Sequence, residues 1–120
     1  MKSEVKDFFR TIAMKANRSS SAKQMIKEWV GHYDGKVVQF QTGIELFYIM
    51  VTNETMKVCE GEYPSSDIIL RGSSKLITDV FTQKESMESA MKRWELVVLG
   101  AGHDGFALRK IIASIVSREA

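Results

Sequence analysis

Near the start of the chain, apolar residues recur at helical spacing twice. Val5, Phe8, Phe9, Ile12, Ala13 and Ala16 share one face of a helix that Ser3 can cap. Asn17 to Ser21 breaks that pattern. Ala22, Met25, Ile26, Trp29, Val30 and Tyr33 then form a second stripe, with Ser20 or Ser21 as its cap and Asp34-Gly35 as its closing turn. The period then shortens. Lys36–Thr42, Ile44–Thr52 and Thr55–Glu60 read as three strands, separated by Gly43 and by Asn53-Glu54. In the second, Ile44, Leu46, Tyr48 and Met50 lie on one face and Phe47, Ile49 and Val51 on the other. A strand apolar on both faces is covered on both sides or rests on a partner chain.

The stretch Gly61–Ser66 carries the only proline and crosses to a fourth strand, Asp67–Arg71. Gly72-Ser73-Ser74 caps a helix whose apolar face is Leu76, Ile77, Val80 and Phe81. After a break at Lys84-Glu85, Met87, Ala90, Met91 and Trp94 share the face of a short helix. Glu95–Leu99 is the fifth strand. Phe106–Val116 is the last helix, apolar along Ala107, Leu108, Ile111, Ile112, Ile115 and Val116. The pattern predicts an α+β fold.

A chain of 120 residues fits one domain. Its net charge of +2, with no basic cluster interleaved with aromatics, argues against a nucleic-acid partner. Lys92-Arg93-Trp94 reads as a solvated helix end. The single cysteine, Cys59, forms no internal disulfide and points to a reducing compartment. Met1-Lys2-Ser3-Glu4 leads into no apolar secretion signal. The longest apolar run, Leu46 to Val51, is far shorter than a bilayer span. Together these predict a soluble cytoplasmic protein.

Gly100-Ala101-Gly102-His103-Asp104-Gly105 matches the glycine spacing of a dinucleotide-binding turn, but its setting argues against that use. The fingerprint belongs in a first βαβ unit, with an acid about 20 residues on to hold the ribose. Here 15 residues follow Gly105, almost all in one helix, and the last acid is Glu119. The spacing reads better as structure. Gly100 and Gly102 end a strand, His103 or Asp104 caps a helix, and Gly105 lets that helix pack closely.

Other chemistry is thin. His32-x-Asp34 and His103-Asp104 are the only His/acid pairs, and neither has metal-ligand spacing. Cys59 lies in an alternating strand, where a small buried thiol is ordinary. Ser19-Ser20-Ser21 and Ser73-Ser74 are cap material. Glu60 and Glu62 are solvated loop acids before they are paired catalysts. No catalytic residue, metal or cofactor is expected.

From Ala22 onward the chain resembles the sterol carrier protein family. The resemblance lies in Asp67-Ile68-Ile69-Leu70 opening a strand, the Ser73-capped helix, and the small-Ala step Ser89-Ala90-Met91. It continues through the strand Trp94–Leu99, the Gly102-His103-Asp104-Gly105 turn and the helix begun by Phe106-Ala107-Leu108. Gly100-Ala101 looks like an insertion, Lys84-Glu85 replaces a Gly-Lys break, and residues 1–18 form an N-terminal helical extension. The resemblance implies a mixed five-stranded sheet covered by helices in an α-β-β-β-crossover-β-α-β-α order, one domain over residues 1–120. It also implies a tunnel between the sheet and the C-terminal helices for a fatty acid, acyl-CoA, sterol or isoprenoid lipid, bound without catalysis. The wall would be Leu76, Ile77, Val80, Phe81, Met87, Met91, Phe106, Leu108, Ile111 and Ile112. Seven methionines, among them Met87 and Met91, suit variable apolar contacts. The alternative is a closed-core interaction or regulatory module on the same fold. A homodimer and transient membrane contact stay open as partnerships.

Overall fold

The computed structural model describes residues 4–31, 33, 35–52 and 55–119. Its elements are α1 (Glu4–Asn17), α2 (Ser20–Val30), β1 (Gly35–Gln41), β2 (Leu46–Thr52), β3 (Thr55–Glu60), β4 (Ile68–Arg71), α3 (Ser74–Phe81), α4 (Met87–Lys92), β5 (Val97–Gly100) and α5 (Gly102–Glu119). The order is the one the pattern predicts. The strands form one mixed sheet, β3-β2-β1-β4-β5. β1 pairs antiparallel with β2 and parallel with β4, and β4 pairs antiparallel with β5. No helix among the described residues is long and apolar enough to cross a membrane.

Register fixes which side chains share a face. Phe40 opposes Phe47 and Leu70, so these line the inner face, toward the helices. Phe40, Phe47, Ile49, Val51, Ile68 and Leu70 are all fully buried there. The helix read as an extension belongs to this core: Val5, Phe9, Ile12, Ala13 and Ala16 are all buried. Asn17, at its end, donates from Nδ2 to the Met56 carbonyl at 3.0 Å and accepts the Met56 N–H at 2.9 Å. That two-way bond satisfies the N–H and C=O of Met56 on the outer edge of β3, which would otherwise be free.

The outer face is partly covered by the crossover. Buried Gln39 holds it there. Its amide donates to the Phe47 and Gly61 carbonyls, 3.0 Å each, and its Oε1 accepts the Tyr63 N–H at 2.8 Å. Tyr63 thereby packs on Tyr48, with ring centroids 5.4 Å apart. Beyond this patch Ile44 is 79% exposed, and Leu46 and Leu99 are exposed too. The doubly apolar β2 is therefore covered fully on one face and partly on the other.

Several local expectations are corrected. The cap of α2 is Ser19, whose Oγ accepts the Ala22 N–H, rather than Ser20 or Ser21. Ser73 caps α3 as expected. Tyr33 leaves the α2 stripe and is exposed. Trp94 leaves the Met87–Met91 face: the chain turns at a φ of 61° there, and the ring is 83% exposed. The last helix starts at Gly102, four residues earlier than the pattern predicts. Gly102 and Gly105 thus lie inside it, and neither His103 nor Asp104 is a cap. Gly105 does let the helix pack closely, because a Cβ there would stand 3.0 Å from Ile68 Cδ1. The Ser3 cap, the His32-Asp34 pair and the Asn53-Glu54 turn lie outside the described residues.

Candidate functional site

The space between the inner face and the helices is where the sequence places an apolar site. Four phenylalanines meet in it. Phe9 lies 4.8 Å from Phe40, 5.3 Å from Phe81 and 5.9 Å from Phe47, between ring centroids. Phe40 and Phe47 stack at 5.0 Å. Offset and edge-on ring pairs of this kind add to simple burial. Ile77, Val80, Phe81, Met87, Leu108, Ile111 and Ile112 pack into the same core, each no more than 2% exposed. Leu76 and Met91 are half-buried at its margin. Phe106 stands apart from the set the sequence groups together and is 44% exposed. The structure thus brings nine of the ten expected wall residues onto one core and turns Phe106 outward. Periodicity could not reveal that Phe9 of α1 reaches the centre of that core.

Among the described residues, two clefts lie between helices at the margin of this core. One, about 450 Å³, lies between α1 and α3 and is lined by Val5, Ser74, Lys75, Thr78, Asp79 and Lys84. Hydroxyls and charges dominate it, and Lys75 already pairs with Asp79 at 2.8 Å. The other, about 280 Å³, lies between α2 and α5 and is lined by Met25, Glu28, Trp29, Ala107, Lys110 and Ile111. Four of these six are apolar, and Ile111 belongs to both cleft and core. An apolar chain leaving water gains roughly 0.8 kcal/mol per buried CH₂ against such a wall and little against a polar one. The α2/α5 cleft is the more apolar of the two.

The remaining candidates are kept apart by the fold. Cys59 is half-buried on the outer face, opposite Tyr48 in the register. Burial, and then the hydrogen bond with that thiol, pushes the Tyr48 hydroxyl above its ordinary value. His103 is on α5 across the sheet, so it cannot serve Cys59 as a base. Glu60 is held by Lys6 at 2.6 Å and Arg10 at 3.3 Å, and is no partner for Glu62. The Lys6 hydrogen bond holds the Glu60 carboxyl below the ordinary carboxylate value.

No family model matches the sequence, and no curated protein matches it. Solved structures do. UbiJ-SCP2, a ubiquinone synthesis protein, superposes with a TM-score of 0.73 at 11% identity, over 88% of this chain and 85% of its own. Sterol carrier protein 2 from Yarrowia lipolytica, in its apo form, gives 0.62 at 16% identity, over 90% of this chain and 86% of its own. The chain has the sterol carrier protein fold. The same fold occurs inside a larger enzyme, the inverting sec-alkylsulfatase Pisa1 from Pseudomonas sp. The likeness there has a TM-score of 0.63 at 11% identity and covers 75% of this chain but 13% of that one. In this chain the fold places α1 and its Phe9 against the sheet, at the interface where the resemblance puts a tunnel.

Proposed function

We propose that the protein binds an apolar ligand, of the fatty acid, acyl-CoA, sterol or isoprenoid-lipid class, and catalyses no reaction on it. The ligand's chain lies beneath α5, against Leu108, Ile111 and Ile112, and enters between α2 and α5. The observation that carries this reading is the apolar α2/α5 cleft opening onto Ile111. The fold is one that sterol carrier protein 2 also uses. Entry requires the ring cluster around Phe9 to give way. Each buried methylene then recovers dispersion contacts and roughly 0.8 kcal/mol of hydrophobic free energy. No charged or nucleophilic group is needed for that. The cytoplasm is the setting a single free thiol suits.

A second reading is favoured by the same ring cluster. If the core stays closed, the domain is an interaction or regulatory module, using the exposed Ile44, Leu46 and Leu99 against a partner or a second copy. Native mass spectrometry of freshly purified protein, with titration of an anthroyloxy-labelled palmitate, separates the two. The first reading expects a co-purified lipid or about one equivalent of probe bound at micromolar protein. Neither, with a dimer in light scattering, leaves the second.

A further inference from the structure

The described core holds three buried polar side chains: Lys36, Gln39 and Asp104. Gln39 holds the crossover. The other two meet each other, and neither the fold's sheet ladder nor the apolar site uses them. Asp104 lies in the first turn of α5 and is 1% exposed. Its Oδ1 accepts the Trp29 indole N–H at 2.9 Å. Lys36 Nζ, from β1, stands 3.3 Å from the same oxygen and 4.3 Å from the Tyr33 ring centroid. His103 Nε2 is 3.5 Å from Oδ1, but its ring is 81% exposed. The carboxylate also suits the positive end of the α5 dipole. It therefore ties α5 to the sheet through Lys36, and α2 to α5 through Trp29.

Trp29 is also a wall of the α2/α5 cleft. Among the described residues no backbone hydrogen bond joins α2 to α5. Among the described residues, Trp29–Asp104 is a polar side-chain link between the two helices. We infer that Asp104 is a latch, a positioning residue that keeps Trp29 across the α2/α5 cleft and so sets how fast an apolar ligand enters and leaves. This rests on the binding reading given above. A partly buried hydrogen bond to a charged group is stronger than one between neutral groups, and removing only its donor leaves the Lys36–Asp104 pair intact. A latch differs from a binding contact in its kinetics. Releasing it speeds entry and exit together and leaves the equilibrium almost unmoved.

The test uses the full chain, stopped-flow mixing with the labelled palmitate, and hydrogen exchange of the ligand-free protein. Trp29→Phe is expected to raise association and dissociation rates alike, each by roughly tenfold for a bond of this kind, with Kd within about threefold of wild type. Exchange should quicken in α2 and the first turns of α5 and nowhere else. Asp104→Ala, which removes the acceptor, should give the same kinetics if it folds, and Trp29→Phe decides the matter if it does not. Unchanged rates overturn the latch. So does faster dissociation alone, which would make Trp29 a contact to the ligand. If wild type takes up no palmitate, the binding reading fails separately, and exchange alone judges the latch. Quickening confined to α2 and α5 in Trp29→Phe supports it, and no quickening overturns it.

Discussion

Replacing Phe9 with Ala tests whether α1 closes the sheet–helix interface. Phe9 is fully buried and touches four other rings, Phe8, Phe40, Phe47 and Phe81, so the change removes both transfer free energy and four ring contacts. Large-to-small changes at such sites cost about 3–5 kcal/mol, because the surroundings collapse only partly. Domains of this size hold a total of roughly 5–15 kcal/mol, so the variant should stay folded but marginal. At roughly 4 °C per kcal/mol, the melting temperature should fall by about 12–20 °C. Urea unfolding monitored by circular dichroism gives the free energy, and an unchanged m-value shows that the denatured state is the same. Phe8, next in sequence but only half-buried, should cost less than half as much when changed to Ala. The cavity left by Phe9→Ala is apolar and dry, so it invites an apolar guest. Labelled palmitate at a hundred times its Kd would then restore about 2.7 kcal/mol. A loss below about 1 kcal/mol for Phe9→Ala would refute the packing argument, since no fully buried ring costs so little.

Asn17→Ala should cost about 1–3 kcal/mol by leaving both Met56 backbone groups unpaired, and light scattering should show faster aggregation through the bared β3 edge. Gly100→Ala should lose about 2 kcal/mol or more in urea titration. The φ of 97° and a Cβ 2.6 Å from the Asp67 carbonyl oxygen are both hostile to a side chain. Trp94→Gly should raise stability by about 0.5–1 kcal/mol, because it relieves a left-handed backbone at the cost of little buried area. Lys6 and Glu60 set a pH window. Glu60's lowered value makes its contribution full above its ordinary 4.5 and lost as pH falls through the lowered folded value. The hydrogen bond to Glu60 raises Lys6, whose contribution is full below its ordinary 10.5 and lost as pH rises through the raised value. Urea midpoints for Glu60→Gln should therefore track wild type at pH 3 and fall slightly below it at pH 7, less so in high salt.

The element order was legible because each element carries its own period. The stripe of α1 and the alternation in β1–β3 needed only neighbours in sequence. What α1 packs against was not legible. Phe9 meets Phe40, Phe47 and Phe81 across separations that no period spans, so the same stripe reads equally well as an appended helix. Cys59 is a smaller case of the same gap. Alternation says it has a face but not that its face is the outer one.

The Gly-Ala-Gly-His-Asp-Gly stretch shows how tertiary demand overrides local signal. Glycine disfavours helix by about 1 kcal/mol, so two of them argue for a turn. The chain forms helix through both because α5 must lie against β4, where a side chain at Gly105 would crowd Ile68. That same approach carries Asp104 inward to Lys36, 68 positions earlier, and to Trp29, 75 earlier. A charge at that depth is costly unless it is paired. Asp104 is therefore tolerated only because two other elements bring it a cation and an indole N–H. The residue that reads in sequence as a helix cap becomes the point where α2, β1 and α5 are joined, and Trp29→Phe frees α2 while the Lys36–Asp104 pair still holds α5 to β1.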